Sequence, residues 1–290
     1  SGLGRIRGMT AFGAYINEAS LANQEVFDEI KARCSGPGAR IIADTNPDHP
    51  EHWLLKDYIK STAAGIMNFH FCLDDNTFLD ERYIKNIKES TPKGMFYDRG
   101  INGAWVSGEG VVYPDFDQNV HVITPLQAKQ IIFDRVFCGV DWGWEHWGAI
   151  VVVGVKGSSY YIVEEHADWI VVAEDIIRRY GDVPFYCDPA RPEHIAAFQN
   201  AGINAYMGNN RVLSGIEAIA TLMTNKQFFI VYSRCPRFRE EIYKYIWKKN
   251  TGEPLKENDD VLCAIRYGIY SDMTVNEIEL PGQSMAEQAE

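Results

Sequence analysis

Residues 136–164 read VFCGVDWGWEHWGAIVVVGVKGSSYYIVE, and the order of elements in this stretch decides the fold. Val136 to Val140 is an apolar run that predicts a strand ending at Asp141-Trp142-Gly143. Gly148 to Val155 predicts a second strand, and Gly157-Ser158-Ser159 a hairpin turn into a third strand from Tyr160 to Glu164. Working outward, Ile176, Ile177 and Tyr180 share helical spacing and predict a helix over about 172–180. The short strand Val183 to Cys187 follows and ends at Asp188-Pro189. Helix 193–200, strand 203–206, helix 212–224, strand 228–232, a basic helix 236–249 and a last helix from Asp259 to Tyr270 complete the run.

Upstream, Gly13 to Ile16 reads as a short buried strand, Asn23 to Arg33 as a helix, and Ala39 to Asp44 as the next strand. Strand, helix, strand in this order predicts a parallel α/β unit, whose chemistry collects at the carboxyl ends of its strands. Asn17-Glu18 and Thr45-Asn46-Pro47 both stand there. Residues 100–125 read as a connector holding a short strand at Val111 to Tyr113. The chain therefore divides into residues 1–118, residues 119–273 and a polar tail, 274–290, whose composition predicts disorder.

Composition bounds the function. The 290 residues carry 28 Lys and Arg against 40 Asp and Glu, a net charge of -12, which argues against binding nucleic acid by bulk positive charge. It leaves room for an enzyme that holds DNA through a local basic strip and bound cations. Six scattered cysteines without a C-x-x-C pair point to reduced thiols in a cytosolic compartment. No run of about eighteen apolar residues occurs, so no membrane span is expected.

Three antiparallel strands, a helix, a parallel strand and further α/β units is the order of a ribonuclease H-like fold, a mixed sheet flanked by helices. In that layout, carboxylates at the end of the first strand, at the end of the fourth and on the final helix converge. Asp141, Asp188 and the Asp259-Asp260 pair occupy those three positions. Two Mg²⁺ or Mn²⁺ ions need several hard oxygen ligands on a rigid frame, and neighbouring strand ends supply one. Any one of these aspartates alone reads more readily as a turn former; it is all three in this order that points to a metal site. Asp141, Asp188 and Asp260 are the expected metal ligands, with Asp259 the alternative to Asp260.

The motifs resemble those of phage terminase large subunits. The run Phe137-Cys138-Gly139-Val140-Asp141-Trp142-Gly143 is similar to the family's first nuclease motif, and Tyr186-Cys187-Asp188-Pro189-Ala190 to its second. Asp259-Asp260 followed by Ala264-x-Arg266-Tyr267 resembles the third. Gly103-Ala104-Trp105 with Glu109-Gly110 and Tyr113 resembles the join between ATPase and nuclease domains. Tyr15-Ile16-Asn17-Glu18-Ala19 looks like a Walker B motif, and Thr45-Asn46-Pro47 like the ATPase coupling motif. The resemblance covers residues 10–272. It implies a two-metal endonuclease that cuts double-stranded DNA during genome packaging in the host cytoplasm, with a terminase small subunit and a procapsid portal protein as partners.

Departures from the family pattern temper this. No Gly-Lys dipeptide occurs, so a P-loop is absent; residues 1–118 read as the C-terminal portion of an ATPase domain, and ATP is expected only with the complete protein. Asn17 stands where the family has a metal-orienting Asp, and Cys263 where it has an Asp before Ala-x-Arg-Tyr. A cleavage-impaired motor component therefore remains an alternative, as does another ribonuclease H-like enzyme, such as a transposase or resolvase. Arg237, Arg239, Lys244, Lys248 and Lys249 on the basic helix are the candidate DNA-backbone strip, with a solvated charged face the competing reading. Glu164 or Glu165 is a candidate fourth carboxylate, and His146 and His166 are weaker candidates for the same site. His49-x-x-His52 lacks a third zinc ligand.

Overall fold

A computed structural model describes residues 8–50, 52–143, 148–166, 170–257 and 259–276. His146 and most of the polar tail lie outside them. The chain divides into two compact units, one of residues 1–84, 94–109 and 248–252, the other of residues 85–93, 110–247 and 253–290.

The first unit contains β1 (Gly13–Ile16), α1 (Gln24–Arg33) and β2 (Arg40–Ala43). The strands pair in parallel, Gly13 opposite Arg40 and Ile16 opposite Ala43, as the strand-helix-strand order requires. Asn23 caps α1 by accepting the Glu25 N–H at 2.9 Å, satisfying a donor that the first helical turn leaves open. Ile16, Ala19, Phe27 and Leu54 form its core, with Trp53, Tyr58 and Trp105 packed around them. β1 is not the buried strand expected. Only Ile16 on it is buried; Tyr15 of β1 and Ile42 of β2 are exposed, so one face of the two strands stays open. Helices α2 (Glu81–Ser90) and α3 (Met95–Gly100) follow in the chain.

The second unit is built on a seven-stranded mixed sheet. In chain order its elements are α4 (Gln118–His121), β3 (Val122–Ile123), α5 (Pro125–Gln130), β4 (Arg135–Asp141), β5 (Ala149–Lys156) and β6 (Ser159–His166). Then come α6 (Ile170–Tyr180), β7 (Phe185–Cys187), α7 (Pro192–Asn200), β8 (Ala205–Met207), α8 (Val212–Thr224), β9 (Phe228–Val231), α9 (Phe238–Lys244) and α10 (Asp260–Val275). The sheet order is β3-β9-β6-β5-β4-β7-β8. β4, β5 and β6 form the antiparallel meander, while β7, β8, β9 and β3 join in parallel. Gly157 opens the β5–β6 turn at φ 59°, a conformation glycine takes without a Cβ clash, and its N–H donates to Asp134 at 2.7 Å.

Strand alternation divides the side chains between two layers. Cys138 and Val140 of β4, Ile150 and Val152 of β5, and Phe185 and Cys187 of β7 pack against α6 and α7 in one continuous core. Each fully buried Ile or Phe there contributes about 1.5–3 kcal/mol. Phe137, Gly139 and Asp141 point the other way by the two-residue period. That face carries α10, which packs across β4, β5 and β7. Gly139 and Gly268 allow the approach: a Cβ on Gly139 would fall 1.9 Å from the Ala264 carbonyl oxygen, and one on Gly268 3.1 Å from the Gly139 backbone.

Three expectations need correction. The basic helix 236–249 ends at Lys244. Tyr245 turns extended, and its carbonyl accepts the Val112 N–H at 2.9 Å. Ile246 then bridges Val111 and Trp247 bridges Pro254, so cross-chain hydrogen bonds take over from helical ones. The same contacts draw Gly110 to Tyr113 into the second unit, which begins before residue 119, and Val111 to Tyr113 make one bridge rather than a strand.

Candidate functional site

The site is set by strand parity. Val140 lies opposite Cys187 in the parallel β4–β7 pair, so Asp141 and Asp188 leave adjacent strand ends on the face that carries α10. The Asp188 N–H donates to the Val140 carbonyl at 2.8 Å, and Trp142 Nε1 donates to the Asp188 carbonyl at 2.9 Å, locking the two ends together. α10 starts at Asp260 with Asp259 before it. Asp141, Asp188, Asp259, Asp260, Cys263 and Tyr267 line one cleft of about 1210 Å³.

Each carboxylate has a distinct environment. Asp141 Oδ1 accepts the Gly143 N–H at 2.9 Å. Burial pushes the Asp141 carboxyl up to about 7, with the Gly143 hydrogen bond opposing and the charges of Asp188, Asp260 and Asp259 adding to the rise. Asp188 Oδ1 accepts the Ala190 N–H and the Tyr267 hydroxyl, both at 3.0 Å. Asp259 is raised above its ordinary range by burial, against a hydrogen bond from the Cys263 thiol at 3.4 Å. Burial likewise drives the Cys263 thiol well up, so position 263 supplies a neutral S–H beside these acids. Asp260 is ion-paired with Arg237.

Two acids that the sequence reading did not single out in these roles fix the helix starts around the cleft. Glu241 Oε2 accepts the Val261 and Leu262 N–H groups at 2.9 and 3.1 Å, capping α10. Burial raises Glu241 to about 7 despite these bonds. Glu165, a candidate fourth ligand, instead accepts the Arg237 and Phe238 N–H groups at 2.5 and 3.1 Å, capping α9. Glu164 pairs with Arg179 at 2.6 Å and with His166 at 3.5 Å. The Arg237-Glu241 spacing of four was the available signal for Glu241, since it reads as a one-face helical pair.

The expected basic strip is not one helical face. Arg237 is tied to Asp260 and Glu241, Lys244 pairs with Glu240 at 3.2 Å, and Arg239 lies over the Tyr232 ring at 5.8 Å from its centroid. Lys248 and Lys249 lie past the end of α9, leading into a turn in which Asn250 takes φ 60°. Among cleft-lining residues, Asp141, Asp188, Glu240, Glu241, Glu257, Asp259 and Asp260 are acidic, against Arg191, Arg237, Lys256 and Arg266. The cleft is net acidic, so a polyanion entering it requires added cations.

The donor set suits such a cation. Paired aspartates on rigid strand ends are hard oxygen donors, and Mg²⁺ commonly takes one or two carboxylates while keeping several waters. No group of three His, Cys, Asp or Glu side chains among the described residues is arranged to hold one ion. Asp141 and Asp188 are the paired hard-oxygen donors that the cleft offers a divalent cation.

The first unit brings its own motif residues together. The Asn46 side-chain amide donates to Glu18 Oε1 at 3.2 Å, Ser20 N–H donates to Thr45 Oγ1 at 3.0 Å, and Glu18 N–H donates to Asp44 at 2.9 Å. Glu18 sits at φ 49°, a left-handed conformation costly for a non-glycine residue. The Tyr15 hydroxyl reaches Asn17 Oδ1 at 3.5 Å and also bonds Asp44.

Comparison with known proteins bears on both units. A family model described as phage terminase large subunit matches residues 5–98. The large terminase of a thermophilic bacteriophage is similar in structure, with a TM-score of 0.82 and 26% identity over 94% of this chain and 71% of that one. The same phage protein in complex with ATP-γ-S gives a TM-score of 0.80 at 27% identity, over 92% of this chain and 71% of that one. No curated protein sequence matches. The second unit is an α/β fold with a mixed sheet, and the matches support kinship with phage terminase large subunits. Among the described residues no helix is long and apolar enough to cross a membrane.

Proposed function

We propose that the chain is the nuclease-bearing part of a phage terminase large subunit, joined to the trailing part of its ATPase domain. In this reading the second unit is ribonuclease H-like and hydrolyses phosphodiester bonds of double-stranded DNA during genome packaging. One observation carries it: Asp141 and Asp188 leave adjacent parallel strands on one face and open into a cleft that also holds the start of α10.

Asp141 and Asp188 would hold a Mg²⁺ or Mn²⁺ ion, which when bound lowers the pKa of a water and offsets charge on the phosphate. Tyr267 orients Asp188 through its hydroxyl, and Asp141 is kept in line by the Gly143 N–H. Asp259, on the turn before α10, is the closer fit to a further acidic role, because Asp260 is engaged by Arg237. Glu18, Asn46, Thr45 and Asn17 serve nucleotide hydrolysis, and the terminase small subunit and a portal protein are the partners.

Asp141→Ala is the direct test. The variant should retain its circular dichroism spectrum and lose plasmid nicking in Mn²⁺; nicking at the parental rate would sink the nuclease reading. A second reading, a packaging component impaired in cleavage, is favoured by one residue. Cys263 offers a thiol where the resemblance implies a carboxylate, and Cys263→Asp would then raise nicking at least tenfold.

A further inference from the structure

We propose that Arg237 is the built-in second cation of the cleft, standing where a second divalent ion would otherwise pair with Asp260. The inference rests on the nuclease reading and departs from the two-ion arrangement expected from the sequence. Its support is the partner list of the Arg237 guanidinium. Nη2 is paired with Asp260 Oδ2 and lies 3.6 Å from Glu241 Oε1, while Nη1 donates to the Gly148 carbonyl at 3.3 Å. Gly148 directly precedes Ala149, the strand partner of Asp141, so the guanidinium reaches the end of β5 beside the Asp141 strand end.

Arg237 is also fixed at its backbone. Glu165 accepts the N–H groups of both Arg237 and Phe238, so the side chain projects from an anchored helix start. A guanidinium is always charged, is weakly hydrated, and presents a planar fork that suits carboxylate and phosphate oxygens alike. An arginine acting beside a metal ion at a phosphoryl centre is a known division of labour. With its carboxylate paired to Arg237, Asp260 is not open to a second divalent ion. The cleft then carries one hydrated divalent ion at Asp141 and Asp188, and a fixed organic cation at Asp260.

Titration of the full chain with Mn²⁺, read by the electron paramagnetic resonance signal of the free ion, tests the division. The parent should bind one ion, Asp141→Asn should lose it, and Asp260→Asn should keep it with affinity changed by less than about threefold. Arg237→Ala should bind a second ion, because Asp260 and Glu241 are then left without their cation. Arg237→Lys retains charge without the fork, and should stay at one ion while nicking falls at least tenfold. Two ions or none in the parent, or loss of the ion in Asp260→Asn, overturns the proposal. Should Arg237→Ala fail to fold, the Arg237→Lys and Asp260→Asn arms decide by themselves. Absence of nicking with one ion bound would instead sink the nuclease reading and leave the charge assignment standing.

Discussion

Asp141 combines a buried carboxyl with three acidic neighbours, and its titration has a consequence for the cation-free protein. Its carboxyl is pushed up to about 7, and Glu241 nearby to the same value, both chiefly by burial. A raised acid binds its proton more tightly in the native state than in the unfolded chain. The contribution of these two groups to stability is therefore fully present below the ordinary carboxylate range and is lost as pH rises through about 7. Urea denaturation in EDTA should show the parent less stable at pH 8 than at pH 5. Asp141→Asn should reduce that decline by up to roughly 2.7 kcal/mol, since only the two pH units from 5 to about 7 contribute and each is worth about 1.4 kcal/mol. An unchanged decline would place the responsible group elsewhere. Tyr267 makes a smaller contribution: Tyr267→Phe removes the hydroxyl given to Asp188 and to Asn210, and should cost about 0.5–1.5 kcal/mol of stability. At this scale the acids were legible from the sequence, because each ends a predicted strand or opens a predicted helix. The partners were not. That Asp260 belongs to Arg237, and that Glu165 and Glu241 cap helices, depends on contacts between elements that no local pattern encodes.

Elements succeed or fail here by what they touch. The strands β4 to β6 were readable because their apolar runs and the Gly157 turn encode pairing locally. The basic helix stops short of its expected end at 249, because Tyr245 and Ile246, which helical spacing puts on its buried side, give their carbonyls to Val112 and Leu255, and the Trp247 N–H donates to Gly110. The α10–β4 contact yields the sharpest expectation. Gly139→Ala sets a methyl 1.9 Å from the Ala264 carbonyl oxygen, a clash with backbone that no rotamer relieves. It should cost about 3 kcal/mol or more, seen as a lower thermal midpoint, and should weaken Mn²⁺ binding by parting α10 from Asp141. A wild-type midpoint would show the contact to be looser than described. Towards the far end of the same helix, Arg135 pairs with buried Asp272 at 2.6 Å, and the Tyr160 hydroxyl reaches that carboxylate at 3.2 Å. Arg135→Ala leaves the carboxylate buried without its cation. A loss of about 2–3 kcal/mol is expected, below the range for fully enclosed pairs because Arg135 is one-third exposed.

The molecule as a whole carries a net charge of -12, and its cleft is acidic as well. DNA should therefore bind weakly in EDTA and at least tenfold more tightly with Mg²⁺, measured by fluorescence anisotropy at fixed ionic strength. Equal affinity in both would point to a basic surface outside the cleft. The parallel arrangement of the first unit was legible from its strand-helix-strand order, whereas the exposure of β1 depends on which strands flank it. One feature of the second unit reaches beyond the site. Gly139 and Gly268 leave helix and strand touching main chain to main chain, with no side chain between them to flex. A pull on the carboxylates at the head of α10 would thus be felt as tension along β4 and its hydrogen-bonded neighbour β5, stiffening the centre of the sheet. Ligand in the cleft should slow amide exchange several residues inside the protein, at Val151 to Val153, far from anything the ligand contacts.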